Sequence, residues 1–121
     1  TLHREREADR KRLPIADAAY GAVGLETLLA ALLSLAVREG ISLLAALKPV
    51  TSGPADLLGL PQGRLAKGAP ADLVLFDPEA PWACDRDDLS SRSKNSPFDG
   101  RKLEGRVLRT WVNGATVFER G

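Results

Sequence analysis

The chain is poor in the residues that most catalytic and metal sites need, with one histidine, His3, and one cysteine, Cys84, among 121 residues. A single cysteine excludes a disulfide within the chain and is consistent with a reducing compartment. A zinc centre needs several histidine, cysteine or carboxylate ligands converging on one point, and no residues near His3 complete such a set. Cys84 is far from His3 in sequence, so we interpret it as a bystander and not as a nucleophile.

Strong net charge and long apolar runs are also missing. The formal net charge of +1 gives no electrostatic argument for binding nucleic acid or an anionic membrane. The most apolar stretch, residues 28–33, is too short to span a bilayer, and the charged N-terminus contains no apolar segment of a secretory signal. We therefore expect a cytoplasmic protein without nucleic-acid or membrane partners. Its first residue is Thr1 and not methionine, which suggests a truncated, excised or processed sequence.

The first half of the chain has helical periodicity. Leucines recur at helical spacing and predict a helix over residues 25–39, with Gly40 as its C-terminal stop. Ser42 can cap a second helix through about residue 47, which Pro49 should end or kink. A third short helix is expected from Thr51 or Ser52 to about residue 58.

Short β-like runs follow Pro61. Residues 64–66 are a strand candidate, with a turn at Lys67–Gly68. Residues 72–77 form a continuous apolar run between acids, which is typical of a strand buried on both faces. Residues 79–104 read as a long irregular connection. The closing hairpin is predicted from strands at residues 106–112 and 115–119, because Asn113–Gly114 suits a two-residue turn.

The two halves do not form a self-sufficient fold. The predicted apolar stripe of the first helix, at Leu25, Leu29, Leu32 and Ala36, needs cover, and no strand in residues 1–59 can provide it. We therefore expect a missing N-terminal portion, in the same or another polypeptide, or self-association as an oligomer.

Several motifs follow one another along the chain: KRLP (11–14), GAVGLETLL (21–29), GPADLLGL (53–60), GRLAKG (63–68) with ADLVLFD (71–77), and SKNSPFDG (93–100). Together they resemble dihydroorotases of the amidohydrolase superfamily. GAVGLETLL is similar to the stretch that leads into the last helix of the family's (β/α)₈ barrel, and KRLP to the loop before it. GPADLLGL (53–60) resembles the helix after the barrel. GRLAKG (63–68) with ADLVLFD (71–77) resembles the wider amidohydrolase signature. SKNSPFDG (93–100) is the most specific match, and the motifs occur in the family's order over almost the whole chain.

The resemblance implies an α/β fold class. Residues 1–59 would be the loop and last helices of a (β/α)₈ barrel, and residues 60–121 the C-terminal strands of a small β-sandwich domain. The complete family enzyme uses zinc to activate water for the reversible closure of N-carbamoyl-aspartate to dihydroorotate, a reaction of pyrimidine biosynthesis. The family takes its metal ligands from earlier barrel strands, so we expect no catalytic residue, no metal ligand and no cofactor in this chain.

The resemblance also indicates where family site residues would fall. An Asp-His pair at the end of the eighth barrel strand aligns, counting without gaps, with Leu2–His3. Leucine can neither bind a metal nor accept a proton, and Asp9 could replace the acid only in a rebuilt loop. An aromatic–glycine pair whose backbone holds substrate corresponds to Tyr20–Gly21; a turn that eases entry to the helix is the alternative.

Other polar and aromatic residues have structural interpretations. We expect Lys94 and Asn95 to satisfy loop carbonyls and not to bind a ligand. Trp82 and Trp111 are expected to pack within the β domain.

These observations favour two functions and count against a third. The chain would be the C-terminal region of a dihydroorotase that is active only in the complete enzyme, or of a non-catalytic dihydroorotase-like partner of aspartate transcarbamoylase. Leu2 in place of an acid suits the second hypothesis. The third, an independent binding module, conflicts with the uncovered apolar stripe.

Overall fold

The computed structural model describes Pro14, Ala16 and residues 21–121. The predictions for Leu2, His3, Asp9 and Tyr20 lie outside the described residues. The chain divides into two compact units. One combines the residues up to Leu28 with Trp82–Leu103, and the other combines Leu29–Pro81 with Glu104–Gly121. The division expected between residues 59 and 60 refers to a complete family member and stays a prediction.

Helix α1 spans Leu28–Glu39. It begins three residues later than predicted, because residues 25–27 form a turn in which Leu28 N–H donates to the Gly24 carbonyl at 2.8 Å. Its end is as predicted: Gly40 has φ 65°, and Ile41 N–H donates back to the Ala36 carbonyl at 2.9 Å. This left-handed stop is one that glycine adopts without the steric penalty of a Cβ atom.

Two short helices follow as the local signals predict. Helix α2 spans Leu43–Leu47, and Ser42 Oγ accepts a hydrogen bond from Ala45 N–H at 3.4 Å as its N-cap. A 3₁₀ turn at Lys48–Val50 contains Pro49 and leads to helix α3, Ser52–Leu58. These boundaries are set within a few residues, because caps and proline act on the adjacent turn.

The buried face of α1 differs from the predicted stripe. The buried positions are Ala30, Leu33 and Ala36, which recur at a spacing of three. Leu25 is 97% exposed, whereas Leu29 and Leu32 are half-buried. Periodicity predicted the helix, but all of these positions are apolar, so it could not decide which edge of the broad stripe would be buried.

The β elements form one three-stranded sheet in the order β1-β2-β3. Strand β1 spans Leu73–Ala83, β2 spans Lys102–Val112 and β3 spans Ala115–Glu119. Strands β2 and β3 are antiparallel, with Val112 opposite Ala115 and an irregularity between Thr110 and Trp111. The predicted hairpin turn is confirmed, since Asn113 and Gly114 have φ values of 49° and 78°.

Three predictions about the second half are wrong. Residues 64–66 are not a strand; the Arg64 guanidinium instead pairs with Asp56 near the end of α3. The supposed irregular connection at 79–104 begins as strand, because β1 continues to Ala83. Strand β1 is also not buried on both faces, since Val74 and Leu75 are 54% and 51% exposed. It is an edge strand of the sheet, with β2 as its neighbour.

The described residues thus have a mixed α/β architecture. Among them, no helix is long and apolar enough to cross a membrane.

Candidate functional site

The unit that contains the SKNSPFDG motif also contains residues 21–27, which precede α1. Asn95 joins the motif to this segment through two hydrogen bonds. Its side-chain Nδ2 donates to the Gly21 carbonyl at 2.9 Å, and its own carbonyl accepts from Val23 N–H at 2.9 Å. Asn95 therefore fixes the path of the chain just before the helix.

A second connection lies one turn further along. Glu26 Oε1 accepts hydrogen bonds from the backbone N–H groups of Ser90 and Ser91, at 2.8 and 3.4 Å. Thr27 Oγ1 donates to the Gly24 carbonyl at 3.4 Å and is buried, which closes the turn that starts the helix. The loop therefore holds residues 21–26 at both ends.

Lys94 is the most buried charged residue of this loop, at 5% exposure. Its Nζ donates to the Leu89 carbonyl and, at 3.4 Å, to the Asp87 carbonyl. These carbonyls lie at the end of the 3₁₀ turn Arg86–Asp88, where backbone acceptors lack partners within the helix. The prediction that Lys94 and Asn95 satisfy loop carbonyls is confirmed.

Cys84, the residue after β1, is 1% exposed. Its backbone bonds to Gly100 N–H at 2.8 Å and to the Arg101 carbonyl at 2.9 Å, and its Sγ lies 4.0 Å from Ser96 Oγ. Burial raises the pKa of the Cys84 thiol, an effect that the hydrogen bond with Ser96 opposes. A thiol that stays protonated is a poor nucleophile, which agrees with a structural role.

Gly21 is the described half of the predicted substrate-binding pair. It has φ 69°, a backbone conformation that residues other than glycine rarely adopt, and a Cβ atom there would meet nothing within 4 Å. The glycine is therefore needed for backbone conformation and not for close packing. This geometry is compatible both with a turn and with a backbone presented to a ligand, so the role of Tyr20–Gly21 stays a prediction.

The described donors do not fit the zinc centre that the resemblance implies. In residues 21–121, together with Pro14 and Ala16, no group of three histidine, cysteine or acidic side chains could hold a metal. Two acids of this unit accept backbone hydrogen bonds instead: Glu26 from Ser90 and Ser91, and Asp99 from Arg86 N–H at 3.0 Å. We assign no catalytic step to these residues.

The two tryptophans lie on the sheet strands, Trp82 on β1 and Trp111 on β2, and both are half-buried. The Arg109 guanidinium lies 5.6 Å from the centre of the Trp111 ring. This is the distance range of a cation–π contact.

Sequence reasoning missed two features of the site. It did not identify Glu26, whose partners are 64 and 65 residues away, and it assigned Asn95 to loop carbonyls without identifying Gly21 as the partner. The only available signal was the density of polar residues in SKNSPFDG, which indicates a specific loop structure but not what it contacts.

Comparison with known proteins matches these features to a family. The model of the Amidohydrolase family matches residues 16–118. A dihydroorotase of Anaplasma phagocytophilum (strain HZ) is 51% identical over 118 residues, which are 98% of this chain and 26% of that protein. A dihydroorotase of Wolbachia sp. subsp. Drosophila simulans (strain wRi) is 43% identical over 120 residues, which are 99% of this chain and 27% of that protein.

Solved structures agree with the sequence matches. The L-hydantoinase (dihydropyrimidinase) from Arthrobacter aurescens superposes with a TM-score of 0.80 and 35% identity, covering 88% of this chain and 24% of that one. The chain thus spans about a quarter of the length of the relatives that it matches. Because the family model covers most of the sequence and the fold agrees, the chain belongs to the amidohydrolase family.

Proposed function

We propose that this chain is the C-terminal part of a dihydroorotase-like cyclic amidohydrolase, which interconverts N-carbamoyl-aspartate and dihydroorotate in its complete form. The main support is the 51% identity to a protein named dihydroorotase over 98% of the chain. The hydantoinase neighbour supports the broader class, since its name also denotes hydrolysis of a cyclic amide. In this proposal the helices belong to the end of a (β/α)₈ barrel, and the strands to a small β-sandwich.

The contribution of the chain would be to substrate binding. The backbone of Tyr20–Gly21 offers amide donors and acceptors, and a cyclic amide presents the complementary carbonyl and N–H groups. The resemblance attributes zinc to the complete family enzyme, and this chain supplies none of its ligands in the proposal. The chain would then depend on a barrel portion for catalysis and for covering its apolar helices.

Leu2 supports a second candidate, a non-catalytic dihydroorotase-like protein that assembles with aspartate transcarbamoylase. Leucine stands where the resemblance places the catalytic aspartate, and its side chain cannot transfer a proton.

A chimeric enzyme tests the proposal. The 121-residue chain replaces the matching segment of the Anaplasma phagocytophilum relative, and hydrolysis of dihydroorotate is compared with that of the unaltered host. Activity within about tenfold of the host would support the catalytic proposal, because tenfold corresponds to about 1.4 kcal/mol of altered transition-state binding. A folded but inactive chimera would contradict it.

The Leu2→Asp variant of the chimera separates the two candidates. If only this variant is active, Leu2 occupies the position of the acid, and the non-catalytic function is favoured. Co-sedimentation of the unsubstituted chimera with the host organism's aspartate transcarbamoylase then tests that function. Failure to associate would contradict it.

A further inference from the structure

The structure assigns to Asn95 the role of a positioning residue, which sets the orientation of the Gly21 backbone for substrate binding. This inference rests on the proposed function, since it assumes that the backbone of Tyr20–Gly21 contacts the substrate. Asn95 bonds both the Gly21 carbonyl and Val23 N–H, each at 2.9 Å. It therefore holds the peptide groups on both sides of Ala22.

A fixed orientation matters here because glycine has little conformational preference of its own. Glycine adopts positive and negative φ about equally, so nothing in Gly21 itself holds its φ at the observed 69°. The Asn95 amide supplies that restriction from outside. In the proposed site, the preset backbone would bind a cyclic amide without first losing conformational entropy.

Asn95 is itself buried within a hydrogen-bonded loop. It is 6% exposed, and its neighbour Lys94 donates to the Leu89 and Asp87 carbonyls. Glu26 joins the other end of the segment to the same loop through Ser90 N–H. The amide of Asn95 is thus presented to Gly21 from a loop that is fixed on both sides.

The expected consequence is an effect on binding and not on chemistry. Asn95 bonds the carbonyl of Gly21, whose backbone would bind the substrate before the reaction begins. Loss of an interaction that is equally present in the ground and transition states raises KM and leaves kcat unchanged.

The test uses the chimeric enzyme with Asn95→Asp. This change keeps the size of the side chain but replaces the donor NH₂ with an oxygen that faces the Gly21 carbonyl. We expect KM for dihydroorotate to rise about tenfold, equivalent to about 1.4 kcal/mol, with kcat within about twofold. Asp99→Asn is the matched control, because it makes the reverse exchange of amide and carboxylate within the same motif. Asp99 accepts its hydrogen bond from Arg86 N–H and not from residues 21–26.

Hydrogen exchange provides a readout that does not depend on activity. In the Asn95→Asp chimera, amides of residues 21–24 should exchange at least about tenfold faster, since the local opening free energy falls by about 1.4 kcal/mol. The control should leave them unchanged. An unchanged KM, or a loss confined to kcat, would overturn the inference.

The two proposals fail in different ways. An inactive unsubstituted chimera contradicts the proposed function, and the inference is then decided by exchange alone. Equal exchange in the Asn95→Asp and unsubstituted chimeras overturns the positioning role; faster exchange confined to residues 21–24 supports it. Should Asn95→Asp fail to fold, Asn95→Ser, which is smaller and uncharged, replaces it with the same expected outcomes.

Discussion

Substitution of Gly105 by alanine should destabilise the protein for two reasons, backbone strain and overpacking against Leu33. Gly105 is buried on β2 and has φ 97°, where a Cβ atom is strained in any surroundings. The added Cβ would also overlap Cδ1 of Leu33 and lie 3.8 Å from the Ala30 Cα. The backbone strain costs about 1–2 kcal/mol, and overfilling a packed site costs about 1–3 kcal/mol. Together these give a loss of about 2–5 kcal/mol.

Urea denaturation of the chimeric enzyme that carries the 121-residue chain measures this loss. Gly100→Ala is the matched control, because Gly100 has φ 72° but nothing lies within 4 Å of the position that its Cβ atom would take, so only the strain applies. We expect Gly105→Ala to be the more destabilising of the two by about 1–3 kcal/mol, which is the cost of overpacking alone.

A double-mutant cycle identifies Leu33 as the cause. Leu33→Ala alone should cost about 2–5 kcal/mol, because Leu33 is buried. Combined with Gly105→Ala it should cost less than the sum of the two, by about 1–3 kcal/mol, because the overlap disappears. Equal effects of Gly105→Ala and Gly100→Ala, with additivity within about 0.5 kcal/mol, would refute the reasoning.

Two further predictions concern the SKNSPFDG unit. Lys94→Met keeps the apolar stem but leaves the Leu89 and Asp87 carbonyls without this donor, so urea denaturation should show a loss of about 1–3 kcal/mol. Exposed Lys102→Met should stay within about 0.5 kcal/mol, and similar losses for both would contradict the role of Lys94. Burial raises the pKa of the Cys84 thiol above its ordinary value of 9.0. The stability that the buried, protonated thiol contributes is therefore fully present below pH 9.0 and is lost as the pH rises through the pKa of the folded state. Iodoacetamide at about pH 8 should therefore modify folded Cys84 at least about tenfold more slowly than the urea-unfolded chain, as followed by mass spectrometry; equal rates would contradict this.

Much of the local structure could be predicted because its causes lie within a few residues. Asn113–Gly114 requires two positive φ values, and the hairpin forms there. Ser42 supplies a cap oxygen to the adjacent turn, and Gly40 ends α1 in a left-handed conformation. The motif SKNSPFDG likewise indicates the family without reference to its contacts, and the family match confirms it.

The extent and burial of the β elements could not be predicted in the same way. Residues 79–83 contain a proline and an acid, residue types that are depleted in strands, yet β1 continues through them. The apolar run at 73–75 indicated burial, but the strand lies at the edge of the sheet and these residues are exposed. Burial depends on what neighbours a strand, which the strand's own sequence does not contain.

The candidate site shows the same division. The sequence by itself determined the family, the helix and hairpin signals, and the structural roles of Lys94 and Asn95 toward carbonyls. Only the tertiary structure decided that Asn95 bonds Gly21, 74 residues away, and that Glu26 bonds Ser90. The close approach of the Leu33 side chain to Gly105 is likewise decided only by the tertiary structure. The physical reason is that caps and turns depend on neighbouring dihedral angles, whereas these contacts depend on loop closure over long sequence separations.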